Sequence, residues 1–504
     1  MKFALISVWK KEGIEKYAKE LINLGYEILS TRGTSNYLSS FNIKVHTIED
    51  LINQKELFGG RVKTLHSKIF GGILYKRKKQ EHVLQALENN IPNIEIVIVD
   101  LYPFEEISKN IVDDEDLFEF IDIGGISLIR ASAKNYEDVI LIVDLSDLEW
   151  IISKLKQNSL TLEDRKKLAI KGFYKSASYD SYIYNELLRR WNLSIYESNM
   201  IFSYNKGFNL RYGENPHQKA SLLYNNYIKG FAQCIEYLWG KELSYNNLLD
   251  SFSAYSIVQE FENNACAIVK HNNPCGVSIG ESNIEVYKKA YECDPVSAYG
   301  GIVAFNFVVD EELSRLLNEN FYEVIIAKHY TQGAIEILKQ KKNRRILRIS
   351  NYAKPDFYIR DLGGDLLICQ EDDLLYNKIE ILSGDNITKE ELEQIEFGLK
   401  VIKYVKSNAI LLVKNFSTVG IGAGQMSRID ALKVAIMKAG ENAKGSILVS
   451  DAFFPFADSI ELAYKNGIYI IVEPGGSIRD NETIQKAREY KIKLIFTGIR
   501  HFRH

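Results

Sequence analysis

The chain has 504 residues, 46% hydrophobic and 26% charged, an ordinary globular composition with material for about three domains. A net charge of -3 without a basic stripe argues against nucleic-acid binding, and no apolar run approaches the ~18 residues of a membrane span. Five scattered cysteines without a C-x-x-C pair exclude a disulfide framework; with no cleavage-site pattern behind Met1–Val8, a cytoplasmic protein is expected.

From the amino terminus, periodicity predicts a strand over Phe3–Val8, a helix over Gly13–Leu24 and a strand over Tyr26–Leu29. Such a βαβ unit predicts a parallel sheet with ligands at the strand ends. The loop Ser30-Thr-Arg-Gly-Thr-Ser35 has the hydroxyls and glycine of a phosphate cradle, or of ordinary helix capping. Gly59-Gly-Arg-Val-Lys-Thr-Leu-His66 sets Arg61, Lys63 and Thr64 beside two glycines, all able to hold a phosphate ester; the alternative is a solvated basic turn. Ile94–Val99 reads as a central parallel strand with Tyr102 beyond its carboxyl end. Ile121-Asp-Ile-Gly-Gly-Ile126 opens a helix carrying Arg130, Lys134 and Asn135, where Asp122 is also the carboxylate a helix start favours. Lys63, Tyr102, Asp122 and Lys134 converging at strand ends would supply proton donors and acceptors for a dehydration. Residues 146–190 read as helical, and the polar, irregular stretch Trp191–Phe208 as the domain junction.

Beyond the junction, Leu210-Arg-Tyr-Gly-Glu-Asn-Pro-His-Gln218 is a loop in which Arg211 can clamp a phosphate and Tyr212 can stack on a base. Ala267-Ile-Val-Lys-His-Asn-Asn-Pro-Cys-Gly-Val277 predicts a short strand stopped by Pro274 and Gly276. Lys270 supplies positive charge and His271 can take a proton near neutral pH, which suits an amine attacking a carbonyl. A surface lysine beside a capping histidine is the bland alternative. Gly300 and Gly301 allow backbone to approach a ligand and precede the strand Ile302–Val309; Glu323 opens another strand. The run Val419–Arg428 is not a dinucleotide fingerprint, since it lacks the G-x-x-G end. Strands and helices alternate in both halves of this region, so a duplication is conceivable, but no letter-level repeat establishes it.

The motifs Gly60-Arg-Val-Lys-Thr-Leu-His66, Leu101-Tyr-Pro-Phe104, Ile121-Asp-Ile-Gly-Gly125, Ala133-Lys-Asn135, Arg211–Gln218, Ile268-Val-Lys-His271, Asn273-Pro-Cys-Gly276, Gly420–Arg428 and Ser450–Phe456 occur in one order. In that order the chain resembles, along essentially its whole length, the bifunctional AICAR formyltransferase/IMP cyclohydrolases of purine biosynthesis. The resemblance implies an α/β fold: a methylglyoxal-synthase-like parallel-sheet domain over 1–195, a linker over 196–205, and two cytidine-deaminase-like lobes over 206–504. It implies formyl transfer from 10-formyltetrahydrofolate, as co-substrate, to AICAR, then closure of formyl-AICAR to inosine monophosphate with loss of water. No catalytic metal, nucleic acid or membrane enters, and a homodimer is expected. Lys270, His271 and Asn408 match the transferase's catalytic residues, and Lys63, Tyr102, Asp122 and Lys134 the cyclohydrolase's. Arg211, Tyr212, Arg500, Gly300, Gly301, Arg428 and Glu323 match substrate positions of the first site; Thr34, Arg61 and Thr64 match phosphate contacts of the second.

The sequence departs from that pattern at Trp9, where a related form has Ser, at Arg32 for Gly, Ser67 for Pro, Phe70 for His and Asp100 for Asn. Two rivals use the same residues. A zinc deaminase would need a second cysteine after Pro274-Cys275 and an H-x-E, neither of which is present. A nucleotide-binding sensor would leave the titratable residues at several loop ends without work.

Overall fold

Alternation within the first strands decides the first unit. In β1 (Lys2–Ser7), Phe3 and Leu5 join one buried cluster while Ala4 and Ile6 join another, as side chains of period two must. A sheet buried on both faces has to be covered on both, and β1, β2 (Glu27–Ser30), β3 (Val45–Thr47), β4 (Asn93–Val99) and β5 (Ile140–Ile142) pair in parallel in the order β3-β2-β1-β4-β5. The order reverses between β1 and β4, so the crevice outside their carboxyl ends is the switch point where such sheets take ligands. The helical stretch over 146–190 is two helices, Leu148–Lys156 and Leu162–Arg190, the second opened by a Thr161/Asp164 capping box.

The computed structural model describes residues 1–350 and 352–504. They divide into two compact units, residues 1–204 with 225–227, and residues 205–224 with 228–504. The irregular stretch expected over Trp191–Phe208 is corrected at its end: Tyr204–Asn209 is a strand, β6, paired with β7 (Ser221–Asn225).

The second unit is built on one 12-stranded mixed sheet. Its first half has β8 (Ile235–Trp239), β9 (Asn264–Lys270), β10 (Asn273–Gly280), β11 (Ile302–Val309), β12 (Val324–Tyr330) and β13 (Arg345–Ile349). A separate hairpin of β14 (Phe357–Leu362) and β15 (Asp365–Gln370) follows. The second half has β16 (Glu380–Ser383), β17 (Ile410–Lys414), β18 (Ser417–Gly422), β19 (Ile447–Ser450), β20 (Ile470–Glu473) and β21 (Lys493–Phe496). The spatial order is β8-β13-β12-β11-β9-β10 in one half and β16-β21-β20-β19-β17-β18 in the other, with the same parallel and antiparallel pairings. The duplication is therefore present in topology, and the halves meet antiparallel at β10 and β18. One core spans both halves beneath the helices Tyr245–Val258 and Lys389–Ile402, while the opposite face carries a separate core for each half.

Pro274 and Gly276 do not stop the strand at Lys270. They lie inside β10, and the turn is made by His271 and Asn272, both at positive φ (54° and 60°), a two-residue hairpin. Pro274 is tolerated because the register shifts beside it, at a bulge between Pro274 and Gly276. The matching turn of the second half, Asn415–Phe416, has φ of 51° and 58°. Gly276 and Gly420 occupy equivalent places, and a Cβ on either would run into a helix carbonyl, of Ala290 or of Ala435. Much of the glycine run at 420–424 is thus strand closely packed on a helix, not a ligand loop.

Candidate active sites

In the first unit a cavity of about 550 Å³ opens at the switch point, bounded by the ends of β1, β2 and β4, the 59–65 turn and the start of the helix Gly124–Lys134. Of the expected residues it gathers Thr34, Arg61, Lys63, Thr64, Tyr102 and Asp122. Asp122 accepts from the Gly125 N–H at 2.6 Å and its own N–H donates to the Tyr179 hydroxyl at 2.9 Å. Burial raises the Asp122 pKa above the usual carboxylate value; N–H donors of Gly125 and Tyr102 and the charge of Lys63 oppose the rise, and Asp100 adds to it. Thr64 is buried with a hydroxyl that has no partner among the described residues. The Thr34 hydroxyl lies 3.3 Å from Val8 O, fixing the loop after β1. Arg61 is paired with Glu119, another lining residue. Lys134 is not brought into this cavity. It is the exposed last residue of the helix whose first turn lines it, about 15 Å along the axis.

In the second unit the expected residues collect at one end of the sheet, around the β10–β18 seam. Lys270 ends β9, and its ammonium donates to Tyr299 O at 2.8 Å. His271 is exposed on the turn, and the N–H groups of His271 and Asn272 both donate to Asp250, at 3.1 and 2.7 Å. Burial raises the Asp250 pKa, against those two donors and the charge of His271. The Lys406 N–H donates to Asn273 Oδ1 at 3.0 Å and binds the turn to the segment before β17. There Asn408 donates to Gln425 O at 2.9 Å and accepts from Arg428 at 2.9 Å. Gly300, at φ 73°, and Gly301 come next to Lys270; a Cβ on Gly301 would press on Val269 O. Glu323 N–H donates to Gly301 O, and its carboxylate is 2.7 Å from Arg345, which leaves it committed to an ion pair. Arg211 stacks on Tyr212 with 4.9 Å to the ring centroid, in a loop touching the Tyr245–Val258 helix that carries Asp250 (Asn246 to Glu214 O, 3.2 Å). Arg500 lies exposed in the terminal segment, beside His501, whose N–H donates to Asp451 O at 2.9 Å.

A family model described as the AICARFT/IMPCHase bienzyme matches residues 132–438, and a model of the MGS-like domain matches residues 13–127. This chain belongs to the AICARFT/IMPCHase bienzyme family. A relative from Thermoanaerobacter sp. (strain X514), named bifunctional purine biosynthesis protein PurH, is 48% identical over 509 residues, covering 100% of each chain. Relatives of the same name from Aquifex aeolicus (strain VF5) and Persephonella marina (strain DSM 14350 / EX-H1) are each 45% identical, over 99% of this chain and 100% and 99% of their own. As a bienzyme of this family, the chain is a formyltransferase and a cyclohydrolase of purine biosynthesis. Its α/β architecture, with the parallel sheet of an MGS-like first domain, is the expected one, and the region after it holds one large mixed sheet.

Three bienzyme residues escaped the sequence reading of function. Asp250 and Glu473 stand in none of the motifs, and Asp451 lies within Ser450–Phe456 without being singled out; the backbone and ion-pair partners of all three are supplied only by the folded chain. Among the described residues no helix is long and apolar enough to cross a membrane, and no group of three or more His, Cys, Asp or Glu is placed to hold a metal.

Proposed function

We propose that residues 1–195 are the IMP cyclohydrolase domain and residues 206–504, after a linker at 196–205, the AICAR formyltransferase region of a cytoplasmic homodimer. The hydrogen bond from Lys406 N–H to Asn273 Oδ1 carries the transferase half of this reading, because it joins the Lys270–His271 turn of one repeat to Asn408 of the other. AICAR is held through its phosphate by Arg211 and Arg500 and along its base by Tyr212. 10-Formyltetrahydrofolate enters beside Gly300, Gly301 and Glu323. The AICAR amine attacks the formyl carbon, His271 takes the amine proton, and Lys270 stabilises the oxyanion or returns a proton to the folate nitrogen as the carbon–nitrogen bond breaks. Asn408 and Arg428 orient the reacting groups. No step draws on a metal.

Ring closure then takes place at the switch-point cavity. Arg61, Thr64 and Thr34 hold the phosphate of formyl-AICAR. The carboxamide nitrogen adds to the formyl carbon, and the hydroxyl so formed leaves as water. Lys63, Tyr102 and Asp122 exchange the protons, with Asp122 held ready by the Gly125 and Tyr102 N–H groups. Lys134 completes the set from a second copy of the chain, since its own helix carries it away from its own cavity. Incubation with AICAR and 10-formyltetrahydrofolate should yield inosine monophosphate; a folded protein that makes neither it nor formyl-AICAR would reject the reading.

A further inference from the structure

The two halves of the 12-stranded sheet correspond in strand order and in pairing register around their hairpins, so one half serves as an internal control for the other. Val269-Lys270 corresponds to Val413-Lys414, and both lysines donate to the carbonyl preceding a glycine at φ 73°: Lys270 to Tyr299 O at 2.8 Å, Lys414 to Lys444 O at 2.9 Å. Six residues before each lysine stands an asparagine, Asn264 or Asn408. The first residue of the following helix is Asn283 in one half and Arg428 in the other, each after a serine cap. The fifth position from the start of β11 is Asn306, and from the start of β19 it is Asp451.

At the first half's site the corner is closed by neutral amides. Asn264 donates to Asn283 at 2.9 Å, and Asn306 accepts from Ala265 N–H at 2.8 Å. At the second half's site the same corner holds an ion pair of Arg428 and Asp451, their side chains 5% and 0% exposed. A buried pair of this kind brings no stability over a neutral packing, because desolvation offsets the attraction. The equivalent corner of the first half is built from amides without an ion pair, so the strand pairing common to both halves does not require the charges. What the charges do is visible in the hydrogen bonds. Asp451 receives Arg428 on one oxygen and the Ser407 hydroxyl at 2.6 Å on the other. Arg428, which can only donate, gives its other nitrogen to Asn408 Oδ1 at 2.9 Å. That donor fixes which way the Asn408 amide faces, with its nitrogen toward Gln425 O and one N–H left for a ligand.

We propose that Asp451 is a positioning residue for formyl transfer, holding Arg428 and Ser407 so that Asn408 presents its amide in one orientation. This rests on the formyl-transfer reading of the second unit. Asp451→Asn should lower kcat for transfer about 10- to 100-fold, as expected for a small misplacement of reacting groups, with cyclisation of supplied formyl-AICAR unchanged. The double variant Arg428→Asn/Asp451→Asn, which copies the first half's corner, should fold with a melting midpoint within a few degrees of the parent and still cyclise, but not transfer. Chemical rescue separates positioning from structure: a low, non-denaturing concentration of guanidinium chloride should restore part of the transfer lost in Arg428→Ala, and none in Arg428→Ala/Asp451→Asn. An unfolded double variant, transfer by Asp451→Asn within twofold of the parent, or rescue that survives the loss of Asp451 would each overturn the proposal. A parent protein without transfer would instead sink the reading beneath it.

Discussion

The indole of Trp9 meets the ring of Tyr102 edge-on, with centroids 5.2 Å apart and planes at 82°. Trp9 is 40% exposed, lines the cavity of the first unit, and has the Lys11 ammonium 5.9 Å from its ring centre. A planar base entering that cavity therefore meets an aromatic wall where a related form has a serine. An aromatic contact contributes about 0.5–1.5 kcal/mol beyond area, so Trp9→Ser should raise KM for formyl-AICAR about 2- to 10-fold and leave kcat near the parent's. Titration with inosine monophosphate should quench tryptophan emission in the parent and not in Trp9→Phe. An unchanged KM in Trp9→Ser would remove the wall from the account.

Glu473 is 1% exposed; one carboxylate oxygen accepts from the Phe454 N–H at 2.5 Å and the other has no partner among the described residues. Burial pushes its pKa up from 4.5 to about 8, helped by Asp480 and opposed by the Phe454 N–H and Arg428. Between those values the folded chain keeps a proton that the unfolded chain has lost. The contribution of Glu473 to stability is thus full below the unfolded value and is lost as pH rises through about 8. The slope is up to about 1.4 kcal/mol per pH unit. Glu473→Gln keeps the shape and cannot titrate. Its second unit should melt close to the parent's at about pH 5 and several degrees higher at about pH 9. Coincident melting curves at the higher pH would show that Glu473 does not hold its proton in the folded state.

Much of this was legible from the letters because local and global preferences agree. The apolar runs in Phe3–Val8 and Ile94–Val99 predict strands of a parallel sheet, and they are buried and paired in parallel. The turn at His271-Asn272 was misread because Pro and Gly usually punctuate a chain; here a bulge takes in Pro274, and Gly276 serves helix packing. The duplication was hidden because the fold constrains few letters per repeat: a Val-Lys at the strand end and a packing glycine are retained, while turn residues are His-Asn in one half and Asn-Phe in the other. Lys134 shows the limit of motif spacing. The helix between it and Asp122 is legible in the sequence, yet a shared motif does not say that the helix carries Lys134 away from the cavity its first turn lines.

That helix makes a test of assembly. If each cyclohydrolase site takes Lys134 from a second copy, Lys63→Ala and Lys134→Ala proteins should each be inactive in ring closure, yet regain activity when unfolded together and refolded as a mixture. Each mixed dimer would then hold one site with both lysines. Formation of inosine monophosphate from formyl-AICAR by the mixture, against neither parent variant alone, is the measurement. A mixture as inactive as its components, with mixed dimers demonstrated by tagged copies, would reject the supply of Lys134 from a second copy.

The residues proposed for transfer and for ring closure lie in separate units with separate cores, residues 1–204 with 225–227 against 205–224 with 228–504. Loss of one chemistry should therefore leave the other intact, since each core holds its own groups in place. His271 is exposed at the tip of the β9–β10 turn, held by its backbone N–H to Asp250 and not by its ring, so truncating the ring removes chemistry and little packing. His271→Ala should lower formyl transfer by about 10²- to 10⁴-fold, the usual worth of a general base. It should still convert supplied formyl-AICAR to inosine monophosphate at the parent's rate. Lys63→Ala should do the reverse, transferring formyl groups while formyl-AICAR accumulates. Each variant is offered AICAR with the formyl donor, or formyl-AICAR alone, and both products are followed by chromatography. If folded His271→Ala loses ring closure as fully as transfer, the two chemistries share one site, and the assignment of Lys63, Tyr102 and Asp122 to a separate cavity fails with it.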